Sequence, residues 1–455
     1  MNKIINNIVT VFVLICLLFM GGCKKKNKED LSKAFVKYYG GLLGEKAVEV
    51  LQTSDGGYVI AGTAITGTNL GDILVIKTDN QGNESWHKSF GAASVYDECG
   101  SIALMPDGGY MVVGTTALKP NQIFKEKALQ ISKDSTCVFA IRIDASGNVI
   151  WSKHYDNPSD PHVLIGAFGK AVVVNTNGQS FIAGMVDSSY GSPVVINLNL
   201  YAILVDNSTG NISQLGGIDI KAFQFGSKNQ NDYTSSAIKA FDTGFGDEYL
   251  ISSSTIIGGV NTPRVVKVGI VGGLISPTLL QSTAPSNLSW TEPSYYSGAQ
   301  IIRTSDNNYM LTGTKETPSL SSDIFMIKLL VSDLSKMQSY SYGDLSGFNN
   351  LGVSIASTND GGYVLLGTTN STNYTGAVTQ LDDVLMIKID QNGNEQWHKV
   401  FGGRGNDSAS KIIQTTDGGY LICGTISFGD DASTTGVSNS ITLIKVNSNG
   451  DISNF

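Results

Sequence analysis

The sequence predicts an all-β fold: a seven-bladed β-propeller with four-stranded blades, closed by an N-terminal strand that completes the last blade. Three observations predict it. A unit of four short apolar runs returns along the chain with a period of about 50–70 residues, the spacing of a propeller blade. The last unit begins at Ser408 but stops at Phe455 without its Trp-containing segment. A matching segment, Ala34-Phe35-Val36-Lys37-Tyr38-Tyr39-Gly40-Gly41, stands alone ahead of the first unit. A ring that builds one blade from both ends of the chain accounts for the missing segment and the surplus one together.

Length alone, 455 residues, would suggest two or three domains. The repeat overrides that count, because a single blade cannot bury both of its faces. With 52 glycines, 10 prolines and 15% charged residues, the composition suits tight turns between buried strands.

Residues 1–22 read as a signal peptide. Lys3 precedes an apolar run from Ile8 to Met20, too short and too N-terminal for a stable span. Met20-Gly21-Gly22-Cys23 then resembles the lipobox of a bacterial lipoprotein, with Met20 in place of the usual Leu. That resemblance implies cleavage before Cys23, lipidation of its sulfur, and durable attachment to a bilayer through several acyl chains. An ordinary secretory cleavage site is the alternative. Residues 23–33 form a charged tether, Lys24-Lys25-Lys26-Asn27-Lys28-Glu29-Asp30. The lysines suit anionic headgroups. A net charge of −8 over the whole chain speaks against a nucleic-acid partner.

Residues 34–455 are expected to form the propeller as one domain. The best-formed unit runs Ala47 to Gly91. An apolar run ends in Thr53, and Asp55-Gly56-Gly57-Tyr58 leads into Val59–Thr63. Asp72–Lys77, the turn Asp79–Asn83 and the segment Trp86–Phe90 follow. Because the lone N-terminal segment matches an outermost strand, the run after it, Lys46–Thr53, is an innermost one. Val59-Ile60-Ala61 and Ile73-Leu74-Val75-Ile76 are apolar at consecutive positions, as strands buried on both faces require.

Asp-Gly-Gly recurs at Asp107, Asp360 and Asp417, and the glycines supply the positive φ of a tight hairpin. The second turn recurs at Asp144–Asn148 and Asp390–Asn394. A calcium loop is the alternative for these turns, but each is shorter than an EF-hand loop and lacks its distal Glu. Trp86, Trp151 and Trp397 share one register and are expected to pack between blades. Their Asp-x-x-Gly-x-x-x-Trp spacing is similar to the tryptophan-docking repeat of quinoprotein-type propellers, in its scaffold and not in a quinone site. Over nearly all of the mature region the chain resembles Asp-Gly-Gly-Tyr repeat lipoproteins of Bacteroidota. That resemblance implies a propeller at the outer membrane, on its surface or its periplasmic side, and no particular activity.

The middle units are degenerate. Their outer strands are placed near Ile212–Gly217 and Leu274–Gln281, and an eighth short blade within residues 185–300 is the alternative to seven. Cys99, Cys137 and Cys423 match no zinc spacing and read as small buried hydrophobes.

A residue that recurs in most blades is scaffold, which sets aside the repeated Asp, Tyr, Lys and Trp. Lys77, Arg142, Lys328, Lys388 and Lys445 share a register and are expected to meet turn carboxylates or carbonyls. His87 and His398 are expected to lie exposed on outer strands. Recognition is expected on the face carrying the long loops between second and third strands and the connections between blades.

On that face Glu45, Asp97, Asp232 and Asp407 each sit just before an expected innermost strand, near the channel mouth. Together they could hold a divalent cation through oxygen ligands; alternatively each caps its own turn. Trp290, Tyr295 and Tyr296 lie outside the repeated register, where they could anchor a partner or a sugar ring, or pack a long loop over the rim. Leu118–Lys133 reads as a short amphipathic helix. No nucleophile with a base, unrepeated acid pair or metal triad is evident, and His162 is the only unrepeated histidine. The expectation is a non-catalytic interaction module or accessory subunit of an envelope complex, with a membrane or surface protein as partner and no resident cofactor. A glycan-binding lipoprotein and a polysaccharide hydrolase or lyase are the alternatives.

Overall fold

The computed structural model describes residues 34–40, 44–65, 71–92, 94–118, 136–155, 166–187, 198–212, 214–215, 218–219, 223–225, 231–240, 247–257, 260–271, 274–276, 282–283, 296–317, 321–343, 347–375, 381–428 and 439–452. Seven antiparallel sheets succeed one another along them as the blades of a propeller. Blade 1 consists of Glu45–Gln52, Tyr58–Ile65, Gly71–Thr78 and Glu84–Phe90, from the innermost strand outwards. Blade 2 consists of Asp97–Leu104, Tyr110–Ala117, Thr136–Ile143 and Val149–Tyr155. Blades 3 and 4 begin at Ala167–Val174 and Asn231–Lys239, and blades 5 and 6 at Tyr296–Arg303 and Asn350–Ser357.

Blade 7 takes Ser408–Gln414, Tyr420–Ser427 and Asn439–Val446 from the end of the chain and its outermost strand, Phe35–Tyr39, from the beginning. The closing strand pairs antiparallel with the third strand of that blade, Phe35 opposite Lys445 and Tyr39 opposite Ile441. The expected closure is therefore present. Phe35 and Tyr39 sink into a core shared with Tyr58, Ile60 and Ile76 of blade 1, so the strand joins two blades.

Cores of this kind fill each space between blades, which is why second and third strands are buried along nearly their whole length. Their apolar runs answer this two-sided burial. All three described cysteines are buried, and none is in a disulfide.

Each innermost strand carries a β-bulge at one register, at Val48, Gly100, Lys170, Ser235, Ala299, Val353 and Ser410. A bulge sharpens the local twist and turns side chains out of the sheet's alternation. Seven of them, one per blade, bend the channel wall in the same way.

Two details correct the sequence reading. In blade 3 the expected stretch near Ile212–Gly217 meets the third strand only through a single bridge from Ile212 to Val205, and the outer strand proper is Phe223–Phe225, which pairs with Leu200–Ala202. Between that bridge and the outer strand the chain makes a two-residue ladder, Gln214–Leu215 with Ile218–Asp219. In blade 4 Leu274–Ser276 of the expected Leu274–Gln281 is strand, residues 277–281 lie outside the described residues, and Ser282–Thr283 pairs separately with the third strand. The segment 119–135, expected to contain a helix, lies outside the described residues.

Phe35→Ala empties a core position that both termini depend on, so it is expected to lower unfolding stability by about 3–5 kcal/mol. Urea titration followed by tryptophan fluorescence measures it. A loss below about 1 kcal/mol would mean that the strand is not a structural part of the ring.

Candidate functional site

The strand order divides the propeller into two faces. Turns between first and second strands, and between third and fourth, lie on a hairpin face. Loops between second and third strands, and the connections between blades, lie on the opposite loop face.

The hairpin face is occupied by repeated bonding. Asp55 Oδ1 accepts Gly57 N–H at 2.9 Å, and Asp55 Oδ2 takes the buried Lys77 ammonium at 2.8 Å. Arg142 with Asp107, Lys328 with Asp306, Lys388 with Asp360 and Lys445 with Asp417 repeat the pair, as the shared register predicts. Lys267 with Glu248 supplies it in blade 4. Partial burial works to raise the Asp55 carboxyl, and the bonds from Lys77, Thr53 and Gly57 outweigh it, holding the group at about 2.

In the outer turns Asp79, Asp144 and Asp390 each accept two backbone N–H groups through one oxygen and an Asn side chain through the other. These carboxylates serve their own loops.

The aromatic residues of the outer strands bind one blade to the next. Trp86 lies 6.2 Å from Tyr110, and an added Cβ at Gly147 would stand 2.9 Å from the indole. Trp397 meets Tyr420 and Gly450 in the same way, Trp151 covers Gly210, and Phe35 covers Gly82. Each covered glycine sits at positive φ in a turn of the following blade, where no side chain would fit. His87 and His398 lie exposed, each against a nearby Glu.

Around the channel, side chains just after the bulges link neighbouring blades. Glu49 accepts Ser101 Oγ–H at 2.7 Å and Ile102 N–H at 3.3 Å, and it pairs with Lys411 at 3.0 Å. Gln300 accepts Ser354 Oγ–H and Ile355 N–H, while Ser354 Oγ accepts Ile412 N–H. Every one of these groups is already engaged.

The loop face brings carboxylates together in pairs. Asp97 Oδ2 accepts Ala92 N–H at 3.1 Å, and Asp72 stands beside it across Gly91. At the junction of blades 6 and 7, Asp407 accepts Gly403 N–H at 2.6 Å and Ser427 N–H at 2.8 Å, and its own N–H donates to Asp382 O. Asp383 faces Asp407 across Gly402: an added Cβ there would meet Asp383 Oδ1 and lie 2.9 Å from Asp407 Oδ2. Burial first, then the charges of Asp407 and Asp382, pushes the Asp383 carboxyl up to about 6. Burial likewise raises Asp407 and Asp97, and Asp72 is raised by burial and then by Asp97. Two carboxylates so placed share a proton or attract a cationic group.

Glu45, Asp97, Asp232 and Asp407 thus occupy equivalent places in different blades. Glu45 and Asp97 open their innermost strands, Asp407 immediately precedes one, and Asp232 opposes Thr255 within one. The buried Asp97 and Asp407 turn into their own blade connections, and Glu45 lies against Gly40 in the corresponding connection of blade 7. Among the described residues no three His, Cys, Asp or Glu side chains form a group fit for a metal ion.

Tyr296 opens the innermost strand of blade 5, opposite Lys315. Trp290 and Tyr295 lie outside the described residues, as do Cys23 and His162. The sequence reading passed over Asp72, Asp382 and Asp383, although an Asp at the head of the third strand recurs as Asp72, Asp323 and Asp383 and could have marked them. It also passed over Tyr38 and Phe428, exposed rings 5.0 Å apart and tilted by 69° on blade 7.

No protein-family model matches the chain, and no curated protein matches it either. Among solved structures, the Dos1 propeller is similar at 9% identity, over 91% of this chain and 96% of that one, with a TM-score of 0.46. An intramolecular trans-sialidase from Ruminococcus gnavus is similar at 7% identity, over 91% and 95%, with a TM-score of 0.46. A quinohemoprotein alcohol dehydrogenase from Pseudomonas putida HK5 is similar at 10% identity, over 90% and 76%, with a TM-score of 0.42. At these values the likenesses say nothing about a site.

Asp383 titrates higher in the fold than in the unfolded chain, so the folded state binds its proton more tightly. The penalty for ionising it is absent at low pH, grows from about pH 4 to about pH 6, and is complete above that. Asp383→Asn is therefore expected to stabilise the protein at pH 7 by about 1 kcal/mol after allowance for solvent screening, and to leave pH 4 almost unchanged. Thermal melts of both proteins across that range measure it, and an equal shift at both pH values would contradict the pairing.

Proposed function

We propose that this chain is a lipid-anchored, non-catalytic propeller at the outer membrane that holds a protein partner on its loop face. The observation that carries the reading is the contrast between the two faces. On the hairpin face and around the channel, polar groups are tied to one another in a pattern repeated from blade to blade. On the loop face the pattern breaks. Its second-to-third-strand connections run from Ile65 to Gly71 in blade 1, from Ala117 to Thr136 in blade 2 and from Ser427 to Asn439 in blade 7. Unequal loops on a rigid ring suit recognition.

The direction of the closing strand supports the same reading. Phe35 sits at the hairpin end of blade 7 and Tyr39 at the loop end. A chain tethered at Cys23 enters the fold from the hairpin side, which leaves the loop face turned outwards. Among the described residues no helix is long and apolar enough to cross a membrane. Attachment in this reading rests on the acyl chains alone.

Two measurements test the proposal. Palmitate labelling is expected in the wild type and absent in Cys23→Ser, which should leave the membrane fraction. Extraction of the wild type in mild detergent is expected to bring down one membrane or surface protein in stoichiometric amount. Retention on a polysaccharide column without any such protein would replace this reading with glycan capture.

A further inference from the structure

Where blades 6 and 7 meet on the loop face, an exposed aromatic pair stands beside three crowded carboxylates. We propose that this junction binds an arginine-bearing segment of a protein partner. The guanidinium would lie between the Tyr38–Phe428 rings and the half-buried carboxylates of Asp382 and Asp383, with the buried Asp407 behind them. This inference rests on the reading of the chain as a protein-binding module and names the chemistry of its partner.

The aromatic pair is not part of the repeat. Pairing with the third strand places Tyr38 in register with Ser89, His154, Ser341 and Val400 of blades 1, 2, 5 and 6. Two of those positions are serine, so the scaffold does not need a ring there. Tyr38 is nevertheless 55% exposed and Phe428 50% exposed, at a cost in hydration that the fold itself does not recover. Alternation along the closing strand puts Tyr38 on the same side as Val36, whose side chain packs into the core between blades 6 and 7. Both rings stand on or next to strands, so their geometry is set before any partner arrives.

The carboxylates adjoin the rings through the backbone. Ser427, which donates its N–H to Asp407, is the residue before Phe428. Gly403, which donates to the other oxygen of Asp407, lies against Ser427 O. Among the described residues no lysine or arginine forms an ion pair with Asp382, Asp383 or Asp407, and the neighbouring Arg404 is exposed. Three carboxylates against one local cation leave the junction negative.

A guanidinium suits both halves of this surface. It lies over an aromatic face through cation–π attraction while it donates forked N–H bonds to carboxylates. It would also relieve the repulsion between Asp383 and Asp407. At the junction of blades 1 and 2, Asp72 and Asp97 form a comparable pair, and His154 of blade 2 stands where blade 7 has Tyr38, its ring turned against Phe139 of its own sheet. At the junction of blades 6 and 7 the same position holds Tyr38, set against Phe428 from the end of the second strand.

The test uses the full lipidated chain in detergent and the peptide acetyl-Gly-Arg-Gly-Arg-Gly-amide as probe, with its citrulline counterpart as control. Calorimetry is expected to show binding of the arginine peptide only. Tyr38→Ser and Phe428→Ser should each weaken it at least tenfold with unchanged melting temperature, since both positions are exposed and serine occupies the Tyr38 register elsewhere. Asp383→Asn should weaken it and flatten its salt dependence. Arginine-peptide binding that survives both serine variants would be general attraction to an acidic protein and would overturn the proposal. So would no binding, oligosaccharide binding lost in those variants, or self-association of the chain lost in Phe428→Ser. A stoichiometric partner still retained by the Tyr38→Ser, Phe428→Ser double variant overturns this junction alone, whereas the absence of any partner for the wild type overturns the broader reading.

Discussion

The structure depends on how the inner edge of each blade disposes of its backbone. An innermost strand pairs with its own sheet on one side only, and N–H groups on the other side need acceptors away from bulk water. Thr425 Oγ1 accepts Ala47 N–H at 3.0 Å, Thr63 accepts Cys99 N–H at 3.0 Å, and Thr115 accepts Gly169 N–H at 3.2 Å. Thr314 and Thr368 do the same for Gly352 and Ala409. Each threonine belongs to the second strand of the preceding blade and follows a glycine. That glycine is fixed by contact: an added Cβ at Gly62 or Gly367 would press against the backbone of its own innermost strand and a side chain of the preceding blade. Blades can approach closely enough for the threonine to reach only because both conditions hold. A single hydroxyl contributes about 1 kcal/mol, but leaving the N–H unpaired costs more.

Much of this architecture was legible in the sequence because it repeats. Asp-Gly-Gly marked the inner hairpins, the consecutive apolar runs marked strands buried on both faces, and the shared register of Lys77, Arg142, Lys328, Lys388 and Lys445 foretold the ion pairs. The displaced Phe35–Tyr39 segment gave the closure. The Gly-Thr pairs at Gly62, Gly114, Gly313, Gly367 and Gly424 were equally visible, but their meaning depends on which backbone faces them across a blade junction. Blades 3 and 4 were poorly legible for a physical reason. Gly184 is followed by Met185, and the contact is reversed, with Thr234 Oγ1 donating to Gly184 O at 2.7 Å. Blade 3 has no turn lysine; Ser180 and Asn207 meet there instead. Phe181 stacked on Tyr249 at 4.1 Å holds the two blades together without the usual motif.

The candidate site was legible only in part, because acidity on the loop face comes in two layers. Asp97 and Asp407 announce themselves by position, just before or at the head of innermost strands, and position alone suggests a ring of carboxylates around the channel. Their backbone bonds turn each of them into its own connection instead. The partner of each is an aspartate from the head of the third strand of the preceding blade, Asp72 or Asp383, separated from it by a whole outermost strand. Pairing of this kind places like charges together in a half-buried setting, which works against stability, and the ring tolerates it because the Lys–Asp pairs and interblade cores hold it firmly elsewhere.

Closing a propeller with a strand from the other end of the chain also frees that strand from the constraints of its repeat. In blades 1, 2 and 6 the outermost strand follows directly from a turn whose Asp is bonded to the Asn that leads into it. In blade 7 the turn at Asn447–Asp451 still forms, and its Gly450 still receives Trp397. The strand beside it, however, is written more than four hundred residues earlier. Phe35 and Tyr39 must keep their inward register to fill the core with blade 1. Tyr38, on the opposite face of the strand and exposed at the rim, has no such duty. The blade that joins the termini is therefore where an aromatic residue can be placed at the rim without disturbing the repeat. It shares that rim with the carboxylates of blade 6, so the closure of the ring and the proposed binding site meet at one junction.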